Sequence, residues 1–271
     1  TAQPFGIGAS QLSGWLYLII GPVYWQTKDS TLALQVGIAA SFLGGFIEII
    51  GGIAGRWIVT YVPNAALMGN MASAGLVWLS VVGIAMVFDK PVYGLLPMLI
   101  IIMDYLGKAD KKFQKLPSGL IAIVVGTVIA WGGGFLTLDN FRLSFANIGF
   151  YPPKPDVFDI VAGFKGLIPF LPVILPLQIN NFLSTLQGLE AAKVAGDAYP
   201  ERRSMIMDGV STLTGALFGN PFPTSVYFGH PGWKAIDARA GFSVVNAVLY
   251  LVLCCTGLTS VLMAAIPTEA V

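Results

Sequence analysis

Seven long apolar runs constrain the fold of this chain more than any other feature of its sequence. Most of them approach the roughly 20 residues that an α-helix needs to cross the hydrocarbon core of a bilayer. The chain has 271 residues, of which 55% are hydrophobic and 11% charged, whereas soluble domains carry about 25% charged residues. We therefore expect an all-α polytopic membrane protein in a lipid bilayer. The apolar runs lie near 33–55, 64–88, 92–106, 117–137, 167–192, 204–219 and 240–266.

The basic residues indicate how the chain is oriented. The formal net charge of +1 gives no reason to expect a nucleic-acid partner. If successive spans alternate in direction, the basic loops 107–116 and 196–204 lie on the same side. The positive-inside rule then predicts that both loops are cytoplasmic, in a plasma (inner) membrane. No basic n-region precedes the apolar runs, and the chain stops just after one of them, so we expect a fragment.

Two segments break the helical pattern in the same way. The stretch "GNPFPTSVYFGHPGW" (219–233) and the opening "TAQPFGIGAS" both place an amide, a proline and a phenylalanine before small residues. An odd number of spans separates them, so they enter the membrane from opposite sides, as in an inverted repeat. We expect a half-helix to begin near Thr224, after a short extended segment, with its first amides aimed at the bilayer midplane. Paired breaks of this kind indicate the binding site of a secondary transporter, although a re-entrant loop or a kinked helix kept for packing is the alternative.

A longer pattern resembles a known family. The segment "LPLQINNFLSTLQGLEAAKVAG", followed by "MDGVSTLTGALFGNPFPTSVYFGHPGWKAIDARAGFSVVNAV", is similar to the nucleobase/ascorbate transporters, which include the uracil, xanthine and adenine permeases. The resemblance implies a fold of two intertwined seven-span inverted repeats (7+7) divided into core and gate domains, with this chain covering spans three to eleven. It also implies that substrate lies between the two half-helices and the eighth span. The implied division is core domain 1–57 (spans 3–4), gate domain 58–137 (spans 5–7), an extracellular or periplasmic loop 138–166, and core domain 167–271 (spans 8–11).

The chain departs from that family at two important positions. Family members usually place one carboxylate on the eighth span and another on the tenth. Here the eighth-span position is Asn180, beside Asn181, and the tenth-span position falls at Phe228, Gly229 or His230. The departure puts proton coupling through these positions, and nucleobase specificity, in question.

The candidate binding residues follow from spacing and side-chain chemistry. Asn180 and Ser184 share one helix face, and Asn181 occupies the neighbouring stripe. Amides offer both donors and acceptors, as a nucleobase edge requires, but hydrogen bonding between spans explains them equally well. Aromatic rings at the two breaks would stack on a planar ligand or simply pack. The full set of candidates for substrate binding is Asn180, Asn181, Ser184, Thr224, Ser225, Tyr227, His230 and Phe5.

Two residues are candidates for ion coupling. Glu48 lies in the middle of an apolar run, where an ionisable group is a functional hypothesis by default, although pairing with Arg56 is the alternative. His230 is the only histidine and lies in the second break, so it could replace a missing carboxylate in binding or proton transfer, or it could be purely structural. Asp208 fits the start of a helix, and Asp197 fits a solvated loop. A single histidine precludes a multi-histidine metal site, so we expect neither a metal nor a cofactor.

The function that we predict is secondary transport of a nucleobase or a similar small planar solute, coupled to H⁺ or Na⁺. The alternative is an anion transporter of the sulfate-permease type, in which the two facing half-helix N-termini bind the anion. An intramembrane enzyme is less favoured, because the sequence has no H-E-x-x-H, G-x-S-x-G or Walker A motif. The sequence leaves open whether the protein is a homodimer.

Overall fold

The computed structural model describes residues 5–61, 75–106, 118–235 and 237–267, together with 65, 69 and 72. The basic loop 107–116 and most of 62–74 therefore lie outside the described residues. The chain forms two compact units. The first comprises Thr1–Gly75 and Pro153–Val245, and the second comprises Leu76–Pro152 and Asn246–Val271.

The first unit opens with a short strand and a long helical segment. Strand β1 (Phe5–Ile7) leads into helix α1 (Ala9–Trp15), a π-helical stretch at Leu16–Ile20, and helix α2 (Gly21–Thr27). The long helix α3 (Ser30–Tyr61) follows. Asp29 starts α3, because its carboxylate accepts hydrogen bonds from the backbone amides of Thr31 and Leu32 at 2.9 and 3.1 Å.

The remaining part of the first unit contains the second broken segment. Its long helices come first, then strand β2 and a short helix after the break. The last helix, Gly241–Thr256, starts in this unit and continues into the second one. The elements are α8 (Val157–Leu167), α9 (Leu171–Val194), α10 (Glu201–Leu217), β2 (Thr224–Val226), α11 (His230–Ala235) and α12 (Gly241–Thr256).

Glycines allow α3 to pack closely against its neighbours. A Cβ atom on Gly209 of α10 would lie only 2.7 Å from the carbonyl oxygen of Gly45 on α3, and one on Gly163 of α8 would overlap the Gln35 carbonyl. Small residues of this kind let helix backbones approach each other in membrane proteins. The apolar core beside these contacts comprises Trp15, Ile19, Val23, Ala33, Val36, Ala39, Ala40, Leu167 and Ile174.

The second unit is also helical in the part that the structure describes. The Trp131 indole donates to the backbone oxygen of Ala265 at 3.0 Å, which connects the end of the helix Ser118–Gly132 to the helix Leu258–Ala265. A second π-helical stretch, Gly75–Val81, begins at the boundary of this unit and is followed directly by the helix Val82–Asp89. The helices are α4 (Val82–Asp89), α5 (Pro91–Leu106), α6 (Ser118–Gly132), α7 (Leu138–Ser144) and α13 (Leu258–Ala265), preceded by the end of α12.

The segment 138–166, expected to be a loop, is partly helical. Helix α7 starts at a cap in which the Thr137 hydroxyl accepts from the Asn140 amide at 3.4 Å. Helix α8 starts where the Asp156 carboxylate accepts from the amides of Phe158 and Asp159 at 2.9 and 3.2 Å. These side chains satisfy amides that the first helical turn leaves free, which explains why helices form there.

Two described helical stretches are long and apolar enough to cross a membrane. One is the 24-residue part Ser30–Ile53 of α3, and the other is the 38-residue stretch Val157–Val194, which runs through α8 and α9. A third candidate is the pair Gly241–Thr256 and Leu258–Ala265, which is bent by 100°. The bend occurs at Gly257, whose φ of +71° is readily adopted only by glycine. Shorter apolar helices lie at Pro91–Asp104 and Ser118–Gly132.

Candidate functional site

The two broken segments meet as a pair of antiparallel strands. Phe5 lies opposite Val226, Gly6 opposite Ser225, and Ile7 opposite Thr224. The pairing satisfies backbone groups that an extended chain would otherwise leave unpaired inside an apolar protein. The expected extended segments therefore exist, and they bind each other.

The expected start of the second half-helix near Thr224 is wrong. Thr224 is the first residue of β2, and the next helix begins six residues later, at His230. The β-branched residues Thr224 and Val226 favour a strand, and pairing with β1 holds this backbone extended. Asn220 fixes the approach to β2, because its side chain accepts from the Phe222 amide at 3.1 Å and donates to the Phe222 carbonyl at 2.9 Å.

An uncharged set of side chains surrounds the start of α1. We call Gln11, Ser184 and Ser225 the amide–hydroxyl group; all three are buried. The Gln11 amide donates to the Ser184 hydroxyl at 3.2 Å, and Ser184 donates to the Asn180 carbonyl at 2.9 Å. The Ser225 hydroxyl lies 3.3 Å from where a Cβ on Gly8 would stand. The group therefore brings α1, α9 and β2 together around Gly8.

A second set of side chains, all buried except the half-buried Thr224, contains two acidic residues, one on α3 and one on α10. The carboxyl cluster comprises Glu48, Asn181, Thr185, Asp208, Thr212 and Thr224. Glu48 accepts from the Asn181 amide and from the Thr212 hydroxyl, the latter at 2.9 Å. Asp208 accepts from the Thr185 hydroxyl and from the Thr224 hydroxyl, the latter at 2.8 Å.

The expectation for Asp208 changes as a result, whereas the alternative that Glu48 pairs with Arg56 stays a prediction. Glu48 bonds Asn181 and Thr212, and the side chain of its expected partner, Arg56, lies outside the described residues. Asp208 is not at a helix start, because α10 begins seven residues earlier at Glu201. Its carboxylate instead reaches across to α9 and β2.

The only histidine is part of a polar contact with the α9–α10 connection. We call Asp197, Tyr199, His230 and Lys234 the loop latch. One Asp197 oxygen lies 2.8 Å from His230 Nε2 and the other 2.8 Å from Lys234 Nζ, while Tyr199 packs edge-on against the imidazole at 5.6 Å between ring centres. Asp197 is thus not merely a solvated loop residue.

The loop latch perturbs two titrations. Hydrogen bonds from Lys234, and then from His230, lower the pKa of Asp197 from 3.8 to about 2. Burial and the nearby Asp197 charge raise the pKa of Tyr199. Both effects favour an ionised Asp197 and a neutral Tyr199 at neutral pH.

The expected aromatic residues lie at one end of the strand pair. Phe5 is 36% exposed and Tyr227 is 45% exposed, and Tyr227 directly follows Val226, the strand partner of Phe5. Tyr227 also borders a shallow apolar cavity of about 410 Å³, whose other lining residues are Phe228, Gly229, Pro231, Gly232 and Trp233.

The structure separates the eight candidate binding residues into four groups. Ser184 and Ser225 join the amide–hydroxyl group, and the half-buried Asn180 lies next to it through its carbonyl. Asn181 and Thr224 join the carboxyl cluster. His230 belongs to the loop latch, and Phe5 and Tyr227 lie at the end of the strand pair.

Sequence reasoning did not select Gln11, Asp208 and Thr212 as site residues. Asp208 and Thr212 are spaced i, i+4 in α10, so they share a helix face, and that spacing was the available signal. Gln11 gave a weaker signal, because a single glutamine three residues into a helix is common. Among the described residues, no group of three or more His, Cys, Asp or Glu side chains could hold a metal ion.

Comparisons with known proteins identify a similar fold, but no family. No protein-family model matches the sequence, and no curated protein matches it significantly. The structure is similar to the transmembrane domain of the cyanobacterial bicarbonate transporter BicA, with a TM-score of 0.65 at 17% identity. The similarity covers 97% of this chain and 70% of that one.

This similarity confirms the expected fold class, an all-α polytopic membrane protein with a transporter fold. It does not support membership of the nucleobase permease family, which the sequence resemblance implied. The resemblance rested on a long but diffuse pattern from Leu175 to Val248, in which the glycines, prolines and hydroxyls of the break favour a broken segment whatever the solute is.

Proposed function

We propose that the full-length protein is a secondary transporter that moves a small anion across the membrane by alternating access. The observation that carries this proposal is the uncharged amide–hydroxyl group beside the strand pair. Gln11 and Ser225 place an amide and a hydroxyl next to Gly8, where the helical segment Ala9–Thr27 begins, while Ser184 accepts from Gln11 and donates its own hydrogen to the Asn180 carbonyl. Helix N-termini and neutral donors favour a negatively charged ligand.

The position of the acids supports the same proposal. Both carboxylates of the carboxyl cluster are held by hydroxyl and amide donors from α9, α10 and β2. Thr224 contacts that cluster, whereas the hydroxyl of the next residue, Ser225, lies beside Gly8. Successive side chains of a strand point to opposite faces. An anion beside Ser225 would therefore not meet Glu48 or Asp208 directly.

A nucleobase or a similar planar solute is the second candidate. The half-exposed rings of Phe5 and Tyr227 at one end of the strand pair favour it, because an aromatic ring can stack on a planar ligand. The half-buried Asn180 adds an amide that could read a base edge. Without a carboxylate in the amide–hydroxyl group, we rank this candidate below the anion.

The orientation and assembly of the protein belong to the same proposal. We expect segment 196–204, which includes Arg202 and Arg203 at the start of α10, to face the cytoplasm of a plasma (inner) membrane together with the basic loop 107–116. Coupling to H⁺ or Na⁺, the division into core and gate domains, and a homodimer are further parts of the proposal. The chemistry is transport rather than enzymatic conversion.

Thermal unfolding of the purified full-length protein tests the choice of solute. A ligand at 100 times its dissociation constant stabilises a protein by about 2.7 kcal/mol, so a bound solute raises the unfolding temperature. We expect bicarbonate or sulfate to stabilise the protein and uracil and xanthine to leave it unchanged. Ser225→Ala and Asn180→Ala should weaken that stabilisation.

Ser211→Ala is the matched control, because the Ser211 hydroxyl donates to the Met207 carbonyl of its own helix at 2.9 Å. This variant should respond to anions like the wild type. Stabilisation by uracil or xanthine alone would contradict the anion proposal in favour of the second candidate. An anion effect that Ser225→Ala and Asn180→Ala leave intact would contradict the assignment of the site.

A further inference from the structure

The carboxyl cluster holds two buried acids without a described basic partner. Glu48 is 2% exposed and Asp208 is 0% exposed, and Asp208 is the charged group that acts electrostatically on Glu48. Two like charges buried this close are unfavourable unless a proton or a cation offsets one of them.

Charged groups on the neighbouring helices do not provide that offset. Asp159 on α8 accepts from Gln35 at 2.8 Å, and Glu190 and Lys193 on α9 pair with each other. His230 contacts Asp197 in the loop latch. The other charged residues on these elements are Lys165 on α8 and Glu201, Arg202 and Arg203 on α10, and none of them forms a described hydrogen bond or ion pair with Glu48 or Asp208.

An unpaired acceptor adds to the excess of negative charge. Asn181 is fully buried, and its amide nitrogen donates both to Glu48 and, at 2.7 Å, to the Thr224 carbonyl. Both amide hydrogens are therefore used, while the Asn181 Oδ1 atom has no hydrogen-bond partner. A buried acceptor oxygen without a donor, next to a carboxylate, indicates that the cluster is built to hold a positive charge.

A count of hydrogens identifies that charge. The four residues form a continuous chain of oxygens: Glu48 to Thr212 at 2.9 Å, Thr212 to Thr224 at 2.9 Å, and Thr224 to Asp208 at 2.8 Å. If both acids are ionised, each threonine donates its one hydrogen to its own carboxylate. The contact between the two hydroxyl oxygens then contains no hydrogen.

One added proton fills every contact of the chain. With the proton on Glu48, Glu48 donates to Thr212, Thr212 donates to Thr224, and Thr224 donates to Asp208. The Thr212 oxygen has two lone pairs, so it can still accept the Thr224 backbone amide at 3.0 Å. The reverse order, with the proton on Asp208, fills the contacts equally well.

We propose that Glu48 and Asp208 share one proton through the hydroxyls of Thr212 and Thr224, and that this proton is the one coupled to transport. Moving it to Asp208 breaks the O–H bond at Glu48 and forms one at Asp208, while each threonine oxygen gains one O–H bond and loses another, and the negative charge moves in the opposite direction. The oxygens lie at hydrogen-bond distances from each other, which fits a proton better than a metal cation seated between them.

The coupling part of this proposal rests on the proposed function. Thr224 and Ser225 are adjacent in β2, so the strand that carries the proton chain also carries a hydroxyl of the amide–hydroxyl group. An anion bound at Ser225 favours a protonated pair, because it adds a negative charge near the two acids. Release of the anion favours loss of the proton for the same reason.

Infrared spectroscopy of the purified full-length protein tests the proton site without any solute. The carbonyl stretch of a protonated carboxylic acid is separate from that of a carboxylate, and it shifts in D₂O. We expect one such buried acid per chain at neutral pH. Glu48→Gln and Asp208→Asn should each remove it, because the new amide donates in place of the acid and leaves the remaining carboxylate ionised.

Glu190→Gln is the matched control, since Glu190 pairs with Lys193 at 3.1 Å and lies outside the carboxyl cluster. It should leave the acid band unchanged. A wild-type spectrum without the band, or a band that survives in both Glu48→Gln and Asp208→Asn, would overturn the proton site. A third outcome would assign a sodium ion to the cluster instead of a proton. In that case the wild type shows no acid band, sodium chloride stabilises it more than choline chloride does, and both variants lose this stabilisation.

Uptake of radiolabelled sulfate into proteoliposomes tests the coupling separately. With the membrane potential clamped at zero, one coupled proton gives about tenfold accumulation per pH unit. We expect this accumulation in the wild type and in Glu190→Gln, and its loss in Glu48→Gln. Accumulation that ignores the pH gradient would overturn the coupling. If the wild type transports no anion, the proposed function fails, while the infrared result still decides the proton site.

Discussion

Replacing Thr212 by valine should destabilise the protein strongly, because its hydroxyl is the central link of the carboxyl cluster. The substitution keeps the side-chain shape but removes the hydrogen bond to Glu48 and the acceptor for the Thr224 amide. A hydrogen bond to a charged group contributes about 1.5–3 kcal/mol, and a buried amide left unpaired costs about 1–3 kcal/mol. Thr212 is fully buried, so we expect a total loss of about 2.5–6 kcal/mol.

Thr214→Val is the matched control on the same helix. The Thr214 hydroxyl is exposed and donates to the Val210 carbonyl of its own helix at 2.7 Å, so its loss should change stability by less than about 0.5 kcal/mol. Thr212→Ser retains the hydroxyl and should recover most of the loss. Equilibrium unfolding by SDS in mixed micelles measures all three free energies. Equal stability of Thr212→Val and Thr214→Val would refute the role given to the Thr212 hydroxyl.

Two further predictions concern helix packing and the loop latch. Gly209→Ala should destabilise the protein by about 1–3 kcal/mol, because the new Cβ would lie 2.7 Å from the Gly45 carbonyl oxygen and force α3 and α10 apart. Gly83→Ala is the control, because a Cβ atom at Gly83 would have no neighbour within 4 Å, and this variant should be as stable as the wild type or more stable in the same unfolding assay. Destabilisation by both variants would contradict the packing argument. The Asp197 pKa of about 2 lies below its usual value of 3.8, so its stabilising contact with Lys234 should be complete above about pH 4 and disappear as the pH falls towards 2. Unfolding temperatures measured across this range should lose part of their pH dependence in Asp197→Asn, and an unchanged dependence would show that the contact does not stabilise the fold.

The sequence predicted the two broken segments because their signals are local. Proline and glycine in 219–223 exclude a continuous helix whatever the surroundings, and the same pattern recurs at the N-terminus. The pairing of the segments as strands was not predictable in detail. A strand of three residues gives too short a pattern, and its stability comes from a partner more than 200 residues away in the chain.

The carboxyl cluster shows what the sequence alone cannot supply. Glu48 was recognisable as an acid in an apolar span, but its partners Asn181 and Thr212 come from two other helices. Asp208 was interpreted as a residue at the start of a helix, but the helix Glu201–Leu217 begins earlier and places Asp208 in its interior. Which acids face each other depends on how the helices pack.

His230 is an instructive case of a chemically suggestive residue. As the only histidine, next to a break, it was a reasonable candidate for binding and for coupling. Its imidazole, at the start of α11, contacts Asp197 and Tyr199. These two residues lie in the α9–α10 connection, in a different part of the chain. No periodicity in the sequence connects these residues, so the loop latch could only emerge from the three-dimensional structure.

Uptake of radiolabelled solutes into proteoliposomes that contain the full-length protein decides between an anion and a planar solute. We expect bicarbonate or sulfate to accumulate above the level in protein-free liposomes, and uracil and xanthine not to. Ser225→Ala should reduce anion uptake about tenfold, which corresponds to the loss of about 1.4 kcal/mol, and Ser211→Ala should not. Accumulation of uracil or xanthine without any uptake of anions would contradict the account.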